Sequence, residues 1–236
     1  MRTFKISKMP FDDNRKLFPK TSFTLQDNSV TCFVGCNGSG KSTLIQEIKT
    51  NLQEGEAIDL TAKLNLFNDI FESKKSDSKD MYISYTKESG FTTTEQDSIA
   101  SSMTQMISST GEWIIDRLGR AAALIGQAVR KGGEDGRSLF ILLDDCDAGT
   151  SIDVIGDIVN FINAVRKDCE QQGITYYICI STNAYELCRG FTCIDVSTFK
   201  ELQFTTYEEY KKFVLASRKR KTEQLAKAAA RRDDIF

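Results

Sequence analysis

The run Gly35-Cys-Asn-Gly-Ser-Gly-Lys41-Ser42 fits the pattern G-x-x-x-x-G-K-[ST], residue types that suit one kind of chemistry, the cradling of phosphate. Glycines let the backbone curl until its N–H groups converge on phosphate oxygens. A helix starting at the end of the loop adds partial positive charge, and Lys41 can reach the β- and γ-phosphates. Gly35, Cys36, Asn37, Gly38, Ser39, Gly40, Lys41, Ser42 and Thr43 are therefore the expected nucleotide-binding residues. The hydroxyl of Ser42 would ligate Mg2+. A second group of chemical residues stands farther along. Phe140-Ile-Leu-Leu-Asp144-Asp145 is an apolar run ending in two acids, which places Asp144 to hold the metal and Asp145 to orient or deprotonate an attacking water.

Composition narrows the chemistry. The 236 residues contain no histidine, which excludes Ser-His-Asp and Cys-His nucleophiles, histidine metal sites and histidine general bases. Carboxylates are then the strong general-base candidates. The seven cysteines are scattered and never spaced Cys-x-x-Cys, as expected of reduced, buried thiols and not of structural zinc. A formal net charge of -2 argues against bulk attraction to nucleic acid or an anionic membrane. No run of about 18 apolar residues occurs and the N-terminus has no apolar signal-peptide centre, so membrane insertion is not expected and the cytoplasm is the expected setting.

The elements that must position these groups follow from periodicity. Residues 3–8 and 22–34 read as strands, with Asp27-Asn28 marking a hairpin turn, so that a β-arm feeds the buried run Val30 to Val34. Leu44, Ile45 and Ile48 give a helix over 42–50. Strands are expected at 81–85, 139–143 and 174–180, and helices at 113–131, closed by Gly132-Gly133, and at 152–167. The polar stretches 72–80 and 88–97 read as loops. The alternation implies a doubly wound α/β sheet with its ligand at the carboxyl ends of the strands.

Asn37-Gly-Ser-Gly-Lys-Ser-Thr-Leu44, preceded by the strand 23–34, resembles the opening of ATP-binding-cassette (ABC) ATPases. The resemblance includes their soluble, non-transporter branch of SMC-like and phage- or defence-associated proteins, and covers about residues 20–200. It implies a P-loop NTPase sheet of ABC type with an N-terminal antiparallel β-arm and a helical insertion at roughly 52–112, the ATPase domain occupying 1–210. It also implies ATP with Mg2+ as ligand, and a head-to-tail homodimer that encloses two nucleotides. Ser108-Ser109-Thr110-Gly111-Glu112 is similar to the looser form of the family signature, so the resemblance implies that Ser109, Gly111 and Glu112 reach the γ-phosphate bound by a second copy. The same residues also suit a plain serine N-cap. Thr150-Ser151-Ile152-Asp153 is similar to the loop that crosses the dimer interface, and equally suits a helix cap. Asn183 stands where the family ends a strand in its switch histidine, and an amide there can bond phosphate or water but carries no charge. Asp145 replaces the usual glutamate, and the expected glutamine after strand 81–85 is missing, with Gln96 a distant substitute.

These departures favour ATP binding over rapid turnover. The expected function is a Mg-ATP-dependent ABC-type hydrolase, possessing Asp145, Lys41 and Asn183 as catalytic residues and coupled to a protein effector that the sequence does not identify. Alternatives are an ATP-gated scaffold with little turnover, an AAA+ ATPase and a transporter's ATPase subunit. The basic stretch 211–236, with Arg218-Lys-Arg-Lys221, reads as a solvated helix or tail or as a contact for nucleic acid or an acidic partner. Phe18 could stack on adenine or fill the core.

Overall fold

A computed structural model describes residues 1–6, 18, 20–60, 80–86 and 110–233, with the backbone alone at 110–113, 131–135, 225 and 227–233. Of the loops expected at 72–80 and 88–97, Asp80 is described and opens a strand instead; the rest, together with Gln96 and Ser109, lie outside the described residues.

Two sheets form. Strands β1 (Arg2–Lys5) and β2 (Ser22–Leu25) pair antiparallel as the expected N-terminal arm. The main sheet has the order β4-β5-β6-β7-β3-β8-β9, built from β3 (Ser29–Val34), β4 (Ile58–Asp59), β5 (Asp80–Thr86), β6 (Ser138–Asp144), β7 (Thr175–Ser181), β8 (Thr192–Asp195) and β9 (Lys200–Leu202). Every neighbouring pair is parallel except β8 with β9. The turn at Asp27-Asn28 is therefore not a hairpin. Asn28, at φ 53°, redirects the chain from the small sheet into β3, whose partners are β7 and β8.

Helices cover both faces because each central strand is apolar on both sides, as parallel strands require. Leu139, Ile141 and Leu143 of β6 point into one core, and Phe140 and Leu142 into the other. The first core is shared with α2 (Thr110–Asp135) and α3 (Ile152–Gln172). The second is closed by α1 (Lys41–Glu54) and the β1-β2 arm, where Phe140 stacks on Tyr177 at 4.5 Å and Phe4 on Phe23 at 5.6 Å. Phe18 is buried in this second core edge-on to Phe199, so of its two expected roles the core role is the one it fills.

Gly132-Gly133 does not end α2, which continues to Asp135 and closes at Gly136 with φ 65°. Two glycines cost about 1 kcal/mol each inside a helix, less than the packing of the preceding apolar face returns. A short helix α4 (Tyr185–Cys188) follows β7, and the long helix α5 (Tyr207–Asp233) ends the described chain. Phe204 and Tyr210, ring centroids 5.2 Å apart, tie the start of α5 to the first core. Among the described residues no helix is long and apolar enough to cross a membrane.

Candidate functional site

The carboxyl ends of three adjacent strands set the site. Register pairs Phe33 of β3 with Ser181 of β7, and Ser181 with Asp144 of β6, so these three residues stand side by side at one edge of the sheet. The chain leaves β3 into Gly35–Gly40, and α1 begins at Lys41.

Gly38 (φ 68°) and Gly40 (φ 101°) adopt left-handed backbone, which glycine enters without steric cost and which curls the loop above α1. The Ser39 N–H donates to the Cys36 carbonyl at 3.1 Å and closes the turn. Lys41 is 7% exposed and folds back into the loop, its Nζ donating to the carbonyls of Gly35 (3.1 Å) and Cys36 (3.4 Å). Burial lowers its pKa below the usual lysine value, while Asp145, Cys36, Asp147 and Asp144 pull it back. The acids at and just beyond the end of β6 thus act electrostatically on the ammonium of the loop.

These residues fit a bound nucleotide phosphate with magnesium. The α1 N-terminus has no side-chain cap on Gly40 and no acid in its first turn, which leaves its N–H groups and positive dipole end for an anion. The Ser39 hydroxyl is buried inside the loop with no hydrogen-bond partner. Ser42 is exposed at the second helical position, where its hydroxyl is free of the core. Thr43 is half-buried behind it, and Leu44 returns to the core.

Ser181 organises the acids and Asp147 anchors Asn183, and no local pattern in the sequence marks either residue. Ser181 is fully buried; its hydroxyl donates to Asp144 Oδ1 in a short hydrogen bond and accepts the Asp145 N–H at 2.9 Å. One side chain therefore fixes both acids. Asp145 itself sits at φ 55°, a left-handed conformation that aspartate tolerates better than most residues. Asp147, 9% exposed, accepts from Thr182 Oγ1 (3.0 Å) and the Asn183 N–H (2.9 Å) through Oδ2, while its Oδ1 has no partner. This latch holds Asn183 exposed at the mouth of the site, on the wall of a cavity of 630 Å³ that Cys36 and Asn37 also line.

Of the expected signature residues, Gly111 and Glu112 lie in the first turn of α2, and nothing further is described of their side chains. Thr150 and Ser151 precede α3. The Thr150 hydroxyl donates to the Asp147 carbonyl at 2.9 Å, Ser151 is the N-cap without a side-chain cap bond, and Ile152 is 70% exposed.

None of the curated proteins matches this chain. Among solved structures, a nucleotide-free ATP-binding cassette from an ABC transporter aligns with 91% of this chain and 94% of its own, at 16% identity and a TM-score of 0.45. The family model described as ABC transporter matches residues 18–128, just under half of the chain, a span that contains the glycine loop, α1 and most of α2.

Proposed function

We propose that the chain binds Mg-ATP on the loop Gly35 to Thr43 and hydrolyses it slowly. The observation that carries this reading is the uncapped α1 N-terminus beneath a left-handed glycine loop, with Lys41 turned into that loop and within the field of the acids at the end of β6. Backbone N–H groups and Lys41 bind the β- and γ-phosphates. Ser42 and Asp144 are the protein oxygens that would hold magnesium, which neutralises developing phosphate charge when bound. Ser181 aims the Asp144 carboxylate by donating to it. Asp145 orients or deprotonates the attacking water, and Asn183 offers an amide to phosphate or water.

The family match extends the reading to a head-to-tail dimer in which Ser109, Gly111 and Glu112 of one copy close the site of another. Exposed Ile152, beside Thr150 and Ser151, supports a contact at that loop. Nucleotide-driven closure would then move a protein effector, and the SMC-like or defence-associated branch is the affiliation we favour. Seven free, buried cysteines support a reducing, cytoplasmic setting.

Light scattering of wild type and Ser109→Arg with and without Mg-ATP, together with phosphate release, tests both levels. An ATP-dependent dimer lost in Ser109→Arg supports the composite site, and a mass indifferent to nucleotide and mutation removes it. The second reading, an ATP-gated scaffold, draws on Asp145, whose side chain is one methylene shorter than glutamate and whose backbone is held left-handed by Ser181. It requires tight binding with release slower than about one per minute, far below the usual turnover range.

A further inference from the structure

The basic C-terminal helix is not a free tail. Ser217 of α5, 3% exposed, accepts the Cys36 N–H of the phosphate loop at 3.1 Å, and Arg220 pairs at 2.8 Å with Asp195, itself 3% exposed at the end of β8. These two contacts fix the rotation of α5, so the face carrying Lys211, Arg218 and Lys221 lines the same cavity as Cys36, Asn37 and Asn183. The spacing of 7 and 3 residues is that of one helical stripe.

Lys221 makes the closest approach. Its Nζ donates to the Asn37 carbonyl at 2.8 Å, and a Cβ at Gly38 would lie 2.4 Å from that nitrogen. Glycine at 38 therefore serves the turn and also admits the ammonium to the loop. An ammonium has three donors, so one bond to Asn37 leaves donors for an anion. Among the described residues neither Arg218 nor Lys221 pairs with a carboxylate, in contrast to Arg220 on the adjacent stripe. Two cations without a carboxylate partner among the described residues thus stand at the mouth of the glycine loop, held there by a buried hydrogen bond.

We propose that Lys221, with Arg218 beside it, is a further phosphate-binding residue that grips the terminal phosphate of the nucleotide held by the same chain. The inference rests on the ATP-site reading above and adds to it an intramolecular cation from α5. A tail that merely plugs the loop predicts the opposite response to removing Lys221, namely tighter nucleotide binding.

Calorimetric titration of the full chain with Mg-ATP, Mg-ADP, tripolyphosphate and pyrophosphate decides the matter. Lys221→Ala and Lys221→Gln are expected to weaken ATP and tripolyphosphate roughly tenfold or more, as loss of a charge-assisted hydrogen bond does. ADP and pyrophosphate should weaken by less than about threefold. Lys221→Arg restores most of the ATP affinity, and the ligand-free melting temperature of the glutamine variant stays near wild type because Lys221 is only half-buried and its bond to the Asn37 carbonyl is exposed. ATP affinity unchanged or increased in both Lys221→Ala and Lys221→Gln, or equal losses for ATP and ADP, overturns the proposal while leaving the ATP site standing. Wild type that binds none of the four ligands overturns the ATP-site reading itself, and this inference with it.

Discussion

Replacing Ser181 with alanine removes a single oxygen from a fully buried position and should disable both acids of the site together. That oxygen donates to the Asp144 carboxylate and accepts the Asp145 N–H. A hydrogen bond to a charged group contributes about 1.5–3 kcal/mol and a neutral one about 0.5–1.5 kcal/mol. The Asp145 N–H retains the Ser181 carbonyl at 3.3 Å, so part of the second contribution survives. Ser181→Ala is therefore expected to lower unfolding free energy by about 2–4 kcal/mol, measured by urea denaturation without nucleotide. Asp144 then loses its orienting donor, and the magnesium concentration giving half-maximal phosphate release should rise about 10- to 100-fold, as for other lost supporting contacts of metal ligands. A variant within about 0.5 kcal/mol of wild type refutes the claimed strength of the clamp. A destabilised variant with unchanged magnesium dependence refutes the assignment of Asp144 to the metal.

Other substitutions probe the remaining parts. Lys41→Met keeps the buried stem but not the charge, and should reduce ATP affinity at least about 100-fold with little change in melting temperature, by titration and calorimetry. Because burial lowers the Lys41 pKa, its ammonium deprotonates at lower pH than an ordinary lysine near 10.4. ATP affinity should therefore fall as pH rises through the alkaline range below that value, and an affinity flat to pH 10 would contradict the role of Lys41. Asp145→Asn preserves the left-handed backbone that asparagine also tolerates; it should cut phosphate release at least about 100-fold while ATP still binds. Gly40→Ala, at φ 101°, should cost about 1–3 kcal/mol and weaken ATP binding, read by denaturation and titration.

The phosphate loop and the paired acids were legible because each is local, with its residues contiguous and its context set by one apolar strand. Central strands β3, β5, β6 and β7 were legible for the same reason. β8 was not, since Thr192-Cys-Ile-Asp195 is too short to show a period, although it completes the far side of β3. Ser181 escaped because its role depends on register: only the pairing of β6 with β7 puts its hydroxyl against Asp144, 37 positions earlier. Asp147 carries no local signal either, since its latch to Thr182 and Asn183 is equally non-local. The basic charge of 211–236 was plain, yet nothing in a helical charge pattern says that Ser217 meets a loop 181 residues away.

That separation bears on how the site comes into being during synthesis. β7 lies between β3 and β6 in the sheet but follows both in the chain, so the sheet edge that aligns Phe33, Ser181 and Asp144 cannot close until residue 181 has been made. The phosphate loop, made before β6 and β7, waits for both of these neighbours. Contacts of such long sequence range are slow to form, since loop closure must precede any gain from pairing. A nascent chain arrested before β7 should therefore retain no nucleotide, and ATP should act as a ligand of late folding, stabilising the chain only once its last central strand has been inserted.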